Sequence, residues 1–193
     1  MFVETPRWGV SFTKMTDKFQ NKYKIKSARL KGYDYSQNGM YFVTICTKDH
    51  KEFFGEIING EMKLNEIGEI VKKEWLQTSI IRSNIFLDEW IIMPHHLHGI
   101  IEINNVETTC QGVFKPNETS YRVVSMLGSV INQIKSICTK KIWKAGYFDF
   151  AWQSRFYDHI IRDDESLNKI REYIRTNPQR WEEDRSNVEN IFM

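Results

Sequence analysis

Apolar and polar positions alternate through residues 39–47 (GMYFVTICT), with Tyr41, Val43 and Ile45 on one side and Phe42, Thr44 and Cys46 on the other. A period of two with β-branched and aromatic residues predicts a strand. From Leu64 the repeat changes: Leu64, Ile67, Val71 and Trp75 recur at steps of three and four, so residues 64–79 are expected as an amphipathic helix. Two apolar runs, 85–93 and 97–103, are broken only around Pro94 and read as a hairpin of buried strands. Residues 104–121 have no period, and their Asn, Thr, Gly and Pro mark a long loop. Helical spacing returns with Leu127, Val130, Ile134 and Ile137, facing away from Ser129, Asn132, Gln133 and Lys135, and a second helix is expected over 122–138. Residues 156–161 read as a short strand. Asp163, Asp164 and Glu165 then place negative charge at the start of a third helix, with Leu167, Ile170 and Ile174 on its buried stripe. Pro178 disfavours helical geometry at the residue before it, so this helix is expected to end near Asn177.

The order strand, helix, strand, strand, helix, strand, helix predicts an α+β fold of the ferredoxin-like split βαβ kind. Its antiparallel sheet carries helices on one face, leaving the other open to a ligand or partner, and a C-terminal helix is added. With 193 residues, 41% hydrophobic and 27% charged, the chain suits one globular domain and excludes wholesale disorder. No apolar run reaches the roughly 18 residues of a membrane span, and the N-terminus lacks the apolar block of a secretory signal, so no membrane partner and a cytoplasmic location are expected. Cys46, Cys110 and Cys138 are odd in number and widely spaced, which argues against a disulfide framework or zinc ribbon. Charge is segregated. Residues 1–35 hold eight Lys/Arg against three Asp/Glu, residues 122–180 hold eleven against six, and the stretch between them is acidic, seven against twelve. Two basic segments suit a polyanion-binding face, or equally two solvated surfaces.

Candidate chemistry concentrates in two places. In residues 93–99 (MPHHLHG), His96 and His98 stand one residue apart at the start of a strand, so they project to one side while Leu97 points into the core. Two neutral imidazoles on one face are half of a divalent-metal site, although an HxH triplet also arises by chance. His95 is expected to face away from the pair in the turn, and Gly99 leaves room for close approach of a ligand. In residues 171–178 (REYIRTNP), Tyr173 and Asn177 lie four apart on one helix face, with Arg171 and Arg175 placed to meet phosphate oxygens. Alone, this admits a packed tyrosine with an asparagine cap.

Taken together these motifs resemble the HUH-type single-tyrosine transposases, where U is a hydrophobic residue, and more closely the branch associated with repeated extragenic palindromes. The resemblance runs through residues 29–35 (RLKGYDY), 41–47 (YFVTICT), 54–57 (FGEI), 93–103 (MPHHLHGIIEI), 152–162 (WQSRFYDHIIR) and 172–178 (EYIRTNP), covering roughly 29–181. Family members often carry Asn where this chain has His95. On this basis residues 29–181 are expected as the catalytic domain, 1–28 as a basic extension and 182–193 as a tail.

What the resemblance implies is a metal pair at His96 and His98, a nucleophile at Tyr173 and a third metal-binding side chain at Asn177, with Mg²⁺ or Mn²⁺ as cofactor. A phenol is a poor nucleophile near neutral pH until a metal-bound phosphate and nearby cations favour phenolate. The implied reaction is nicking and rejoining of single-stranded or hairpin DNA through a covalent 5′-phosphotyrosine. Arg122, Lys135, Gln153, Arg155, Arg171 and Arg175 are the candidate DNA-binding residues, and His159 either positions a phosphate or the tyrosine or is a hydrogen-bonded structural histidine. A domesticated DNA-binding protein without catalysis and a rolling-circle initiator or relaxase-like nickase are the competing readings. Dimeric relatives leave a homodimer open.

Overall fold

The computed structural model describes residues 18–19, 22–23, 33–35, 37–104 and 126–186. A short pair, β1 (Lys18–Phe19) and β2 (Lys22–Tyr23), precedes the main sheet. The alternating stretch after Asn38 becomes β3 (Gly39–Cys46), and the apolar runs either side of Pro94 become β6 (Ile85–Met93) and β7 (His96–Ile103). With β8 (Tyr157–Ile161) they form one antiparallel sheet in the order β6-β7-β3-β8, the order of the split βαβ arrangement. Between β3 and the first helix lies a hairpin the hydrophobic periodicity did not reveal, β4 (Gly55–Ile58) and β5 (Glu61–Leu64). Its turn is Asn59-Gly60, both with positive φ, the pairing that a tight two-residue hairpin turn demands. Leu64 therefore belongs to β5, and α1 (Glu66–Ile81) starts after Asn65, whose side chain accepts the Gly68 N–H at 3.0 Å.

Strand alternation sends Tyr41, Val43, Ile45, Leu97, Ile101 and Ile103 to one face, where they pack with Ile67, Val71 and Trp75 of α1 and Leu127, Val130, Ile131 and Ile134 of α2 (Met126–Lys144). Each such side chain taken from water contributes about 1.5–3 kcal/mol, so this layer is the main source of stability. Gly99 belongs to it. A Cβ there would lie 2.4 Å from the Trp75 ring, so Gly99 makes room for an indole of the core and not for a ligand. Gly99→Ala is expected to destabilise the fold by about 1–3 kcal/mol, as overpacking does; a melting temperature equal to the parent's would contradict this.

The opposite face, expected to be open, carries α3 (Asp164–Ser186). Leu167 and Ile174 pack with Ile100 and Ile161, joined by Met40, Phe42, Ile91 and Tyr173. The helix does not end near Asn177; it continues through Pro178. An internal proline removes one hydrogen bond and crowds the preceding turn, a cost of about 3 kcal/mol. Tertiary contact offsets it here, because Trp181 beyond the proline packs on the rings of His95 and His96. Among the described residues no helix is long and apolar enough to cross a membrane. Residues 187–193, the loop over 105–121 and most of the basic extension over 1–28 fall outside the described residues.

Candidate active site

The α3 side of the sheet is built by register. Cys46 pairs with His96 and Thr44 with His98, so these side chains share one face and Leu97 enters the core between them. Thr44 Oγ1 is 2.8 Å from His98 Nδ1, and the Phe42 ring stacks on the same imidazole, centroids 5.3 Å apart and 26° from parallel. The His96 and His98 rings lie 4.4 Å apart. His95 sits in the turn as expected but does not face away from the pair: its Nδ1 is 3.0 Å from His96 Nδ1, and its ring also touches His50 and Trp181. The turn is held by Thr47, whose hydroxyl donates to the carbonyls of Lys51 and His95.

Both imidazoles of the pair are buried, at 7% and 6% exposure, and the protein interior penalises their charged forms. Burial pushes His98 down to about 3, with His95 adding to the effect. Burial first, then His98, His95 and His50, hold His96 well below its usual value. Near neutral pH the pair is uncharged and keeps lone pairs for a ligand.

From the other side, α3 delivers Tyr173 with its Oη 3.4 Å from His98 Nε2, the rings 5.3 Å apart. Phe42 meets the tyrosine edge-on, and the Arg180 guanidinium lies over its ring at 5.9 Å. Residues 173, 177 and 181 follow one another at four-residue steps, hence along one stripe. Tyr173 touches His98 and Trp181 touches His96, so Asn177, 7% exposed, stands between the two contacts. Trp181 went unnoticed because the helix was expected to stop; the four-residue repeat 173, 177, 181 was the available signal.

Two neutral imidazoles and an amide oxygen make a donor set that suits a divalent cation. Each imidazole uses Nδ1 for a protein partner, Thr44 or His95, the anchoring that leaves Nε2 to a ligand. Among the described residues no group of three or more His, Cys, Asp or Glu is arranged to hold a metal.

The DNA-binding candidates fare unevenly. Arg122 lies outside the described residues. Lys135 is not a surface residue: it is buried, and its Nζ donates to the carbonyls of Gln153 (2.7 Å) and Arg155 (3.0 Å), with burial pushing it down to about 8. It ties down the segment leading into β8. Gln153 bonds to His50 through its side-chain amide, Arg155 is exposed, and Trp152 packs on Phe54 and Phe150. Arg171 and Arg175 point at carboxylates, Arg171 at Asp88 and Arg175 at Glu89. His159 pairs with Phe42, on the α3 side of the sheet.

No family model matches the sequence. An uncharacterized protein of Haemophilus influenzae is 39% identical over 168 residues, spanning 85% of this chain and 93% of that protein. The chain belongs to that protein's family. A solved structure shows the fold that this family member shares: a REP-associated tyrosine transposase bound to a REP hairpin, with a TM-score of 0.54 at 17% identity, covering 81% of this chain and 74% of that one. The sheet order β6-β7-β3-β8, with α1 and α2 on one face and α3 on the other, is thus a fold that this chain shares with that structure.

Proposed function

We propose that this protein is a single-strand DNA transferase that nicks and rejoins hairpin DNA, with Tyr173 as the nucleophile. The observation that carries the reading is the meeting of Tyr173 Oη with His98 Nε2 at 3.4 Å, on a strand whose next imidazole on that face is His96. The shared fold with a hairpin-bound tyrosine transposase supports the substrate class. In the step, the phenol oxygen forms a bond to phosphorus, the bond from phosphorus to the 3′ oxygen breaks, and that oxygen leaves as a hydroxyl. The 5′-phosphotyrosine conserves a phosphodiester, so a second 3′-hydroxyl can reverse the reaction without a nucleotide cofactor.

Thr44 and Phe42 fix the His98 ring from below and beside it. When Nδ1 donates to Thr44, the Nε2 lone pair faces the phenol, the state needed to ligate a cation beside it. Arg180 brings positive charge next to the attacking group. Mg²⁺ or Mn²⁺ held by His96, His98 and Asn177 would polarise the phosphodiester and offset charge on its oxygens. Phenol and imidazole meet within one chain, which supports a step in cis.

A labelled hairpin oligonucleotide with an unpaired flank, incubated with the protein and Mg²⁺ or Mn²⁺, is expected to give a denaturation-resistant adduct that peptide mass mapping locates at Tyr173. Binding with no adduct under either metal would favour a non-catalytic DNA-binding role, and cleavage without adduct a metal-activated water.

A further inference from the structure

We propose that Asp88 and Glu89 are positioning residues for Tyr173, holding the roll of α3 through Arg171 and Arg175 so that the phenol stays over His98. The inference rests on the nicking reaction proposed above.

In a regular strand, consecutive side chains go to opposite faces. In β6 the pairing with β7 shifts between Leu87 (opposite Ile101) and Trp90 (opposite Gly99), so Asp88 and Glu89 share the single position facing Ile100. This is a bulge, which re-aims side chains locally, and both acids reach α3 from it. Asp88 accepts from Arg171 Nε at 2.8 Å and Nη2 at 2.6 Å, one oxygen each, in a fork-to-fork pair. The Glu89 N–H donates to the same Asp88 carboxylate at 2.7 Å. Glu89 accepts from Arg175 Nε and Nη2 at 3.0 and 2.6 Å. The Arg171 side chain and its Asp88 partner are only 31% and 23% exposed, so this pair is sheltered from full solvent screening.

The placement on the helix gives these pairs their leverage. At 3.6 residues per turn, Arg171 and Arg175 lie on one flank and Tyr173 roughly 160° away from both. The Ile170 and Ile174 stripe rests on the sheet between the two flanks. Arginines tied to β6 on one side therefore set how far the tyrosine leans toward β7 on the other. The rim of a helix is about 5–6 Å from its axis, so a roll of roughly 10° carries a rim atom about 1 Å. A misplacement of that size at a reacting centre can cost about 100-fold in rate.

The alternative use of these arginines, as DNA phosphate contacts, predicts opposite behaviour. Asp88→Asn with Glu89→Gln keeps shape and removes both charges. At saturating hairpin DNA the double variant is expected to form adduct about 10- to 100-fold more slowly than wild type, with unchanged DNA affinity and salt dependence. Hydrogen exchange should quicken along α3 and not in β3 or β7. The reversed pair, Asp88→Arg with Arg171→Asp, should recover part of the lost rate. Wild-type rate in the double variant overturns the proposal, and so does tighter, more salt-sensitive DNA binding at unchanged rate, which would mean the acids had been withholding the arginines from phosphate. If exchange quickens across the whole sheet, Asp88→Asn alone, which leaves the Glu89 pair intact, carries the same comparison. If wild type forms no adduct, the nicking reaction is wrong, and α3 exchange still decides whether these acids hold the helix.

Discussion

Replacing Tyr173 by phenylalanine is expected to abolish the covalent DNA adduct, a loss of at least about 1,000-fold, while leaving the fold intact. The change deletes one atom. Ring contacts with His98, Phe42 and Arg180 survive it, because they involve the ring and not the hydroxyl. What is lost is a single long hydrogen bond, 3.4 Å to His98 Nε2, worth no more than about 0.5–1.5 kcal/mol. The variant should melt within a few degrees of the parent and still bind a hairpin oligonucleotide. Thermal melting and gel quantification of the adduct separate the two effects. An undiminished adduct would remove Tyr173 from the reaction, whatever its position.

Mild acid is expected to unfold the metal-free protein unusually early. His96 and His98 are held neutral in the folded state, His98 down to about 3, whereas in the unfolded chain each takes up a proton near pH 6.5. Above that pH neither state is protonated and nothing is lost. As pH falls below it, the unfolded chain gains protons that the folded one refuses, so stability declines, and for His98 the decline continues to about pH 3. Each pH unit in this window removes about 1.4 kcal/mol through His98, about 2 kcal/mol by pH 5, and His96 adds a loss in the same direction. That is a substantial part of the 5–15 kcal/mol typical of a domain. Urea unfolding in chelator at pH 7.5 and pH 5 measures it, and His98→Asn, which cannot protonate there, should shrink the difference by about 2 kcal/mol. Equal midpoints at the two pH values in the parent would show that the imidazoles are not held neutral.

Much of this arrangement was legible in the chain, and the reasons differ by residue. The period of two in β3 and β7 put His96 and His98 on one face, because pleating admits no other outcome. The four-residue step from Tyr173 to Asn177 survived for the same kind of reason. What escaped depended on partners distant in sequence. Pro178 signals a helix end, yet nothing local reveals that Trp181 has rings to pack on. Lys135 falls on the polar side of its helix, but the carbonyls it serves belong to residues 153 and 155. Arg171 and Arg175 looked free for phosphate, since a bulge in β6 is invisible to periodicity. The Asn59-Gly60 turn was readable by turn chemistry alone and was masked by apolar spacing that ran on into α1.

The contact between Trp75 and Gly99 reaches further than the stability of the core. Gly99 is the one position on its strand's inner side able to receive that indole, and it directly follows His98. Sliding the strand by a single residue would turn both imidazoles inward and push a side chain against the indole. A helix behind the sheet thereby acts as a detent, indexing chemistry that takes place on the far side.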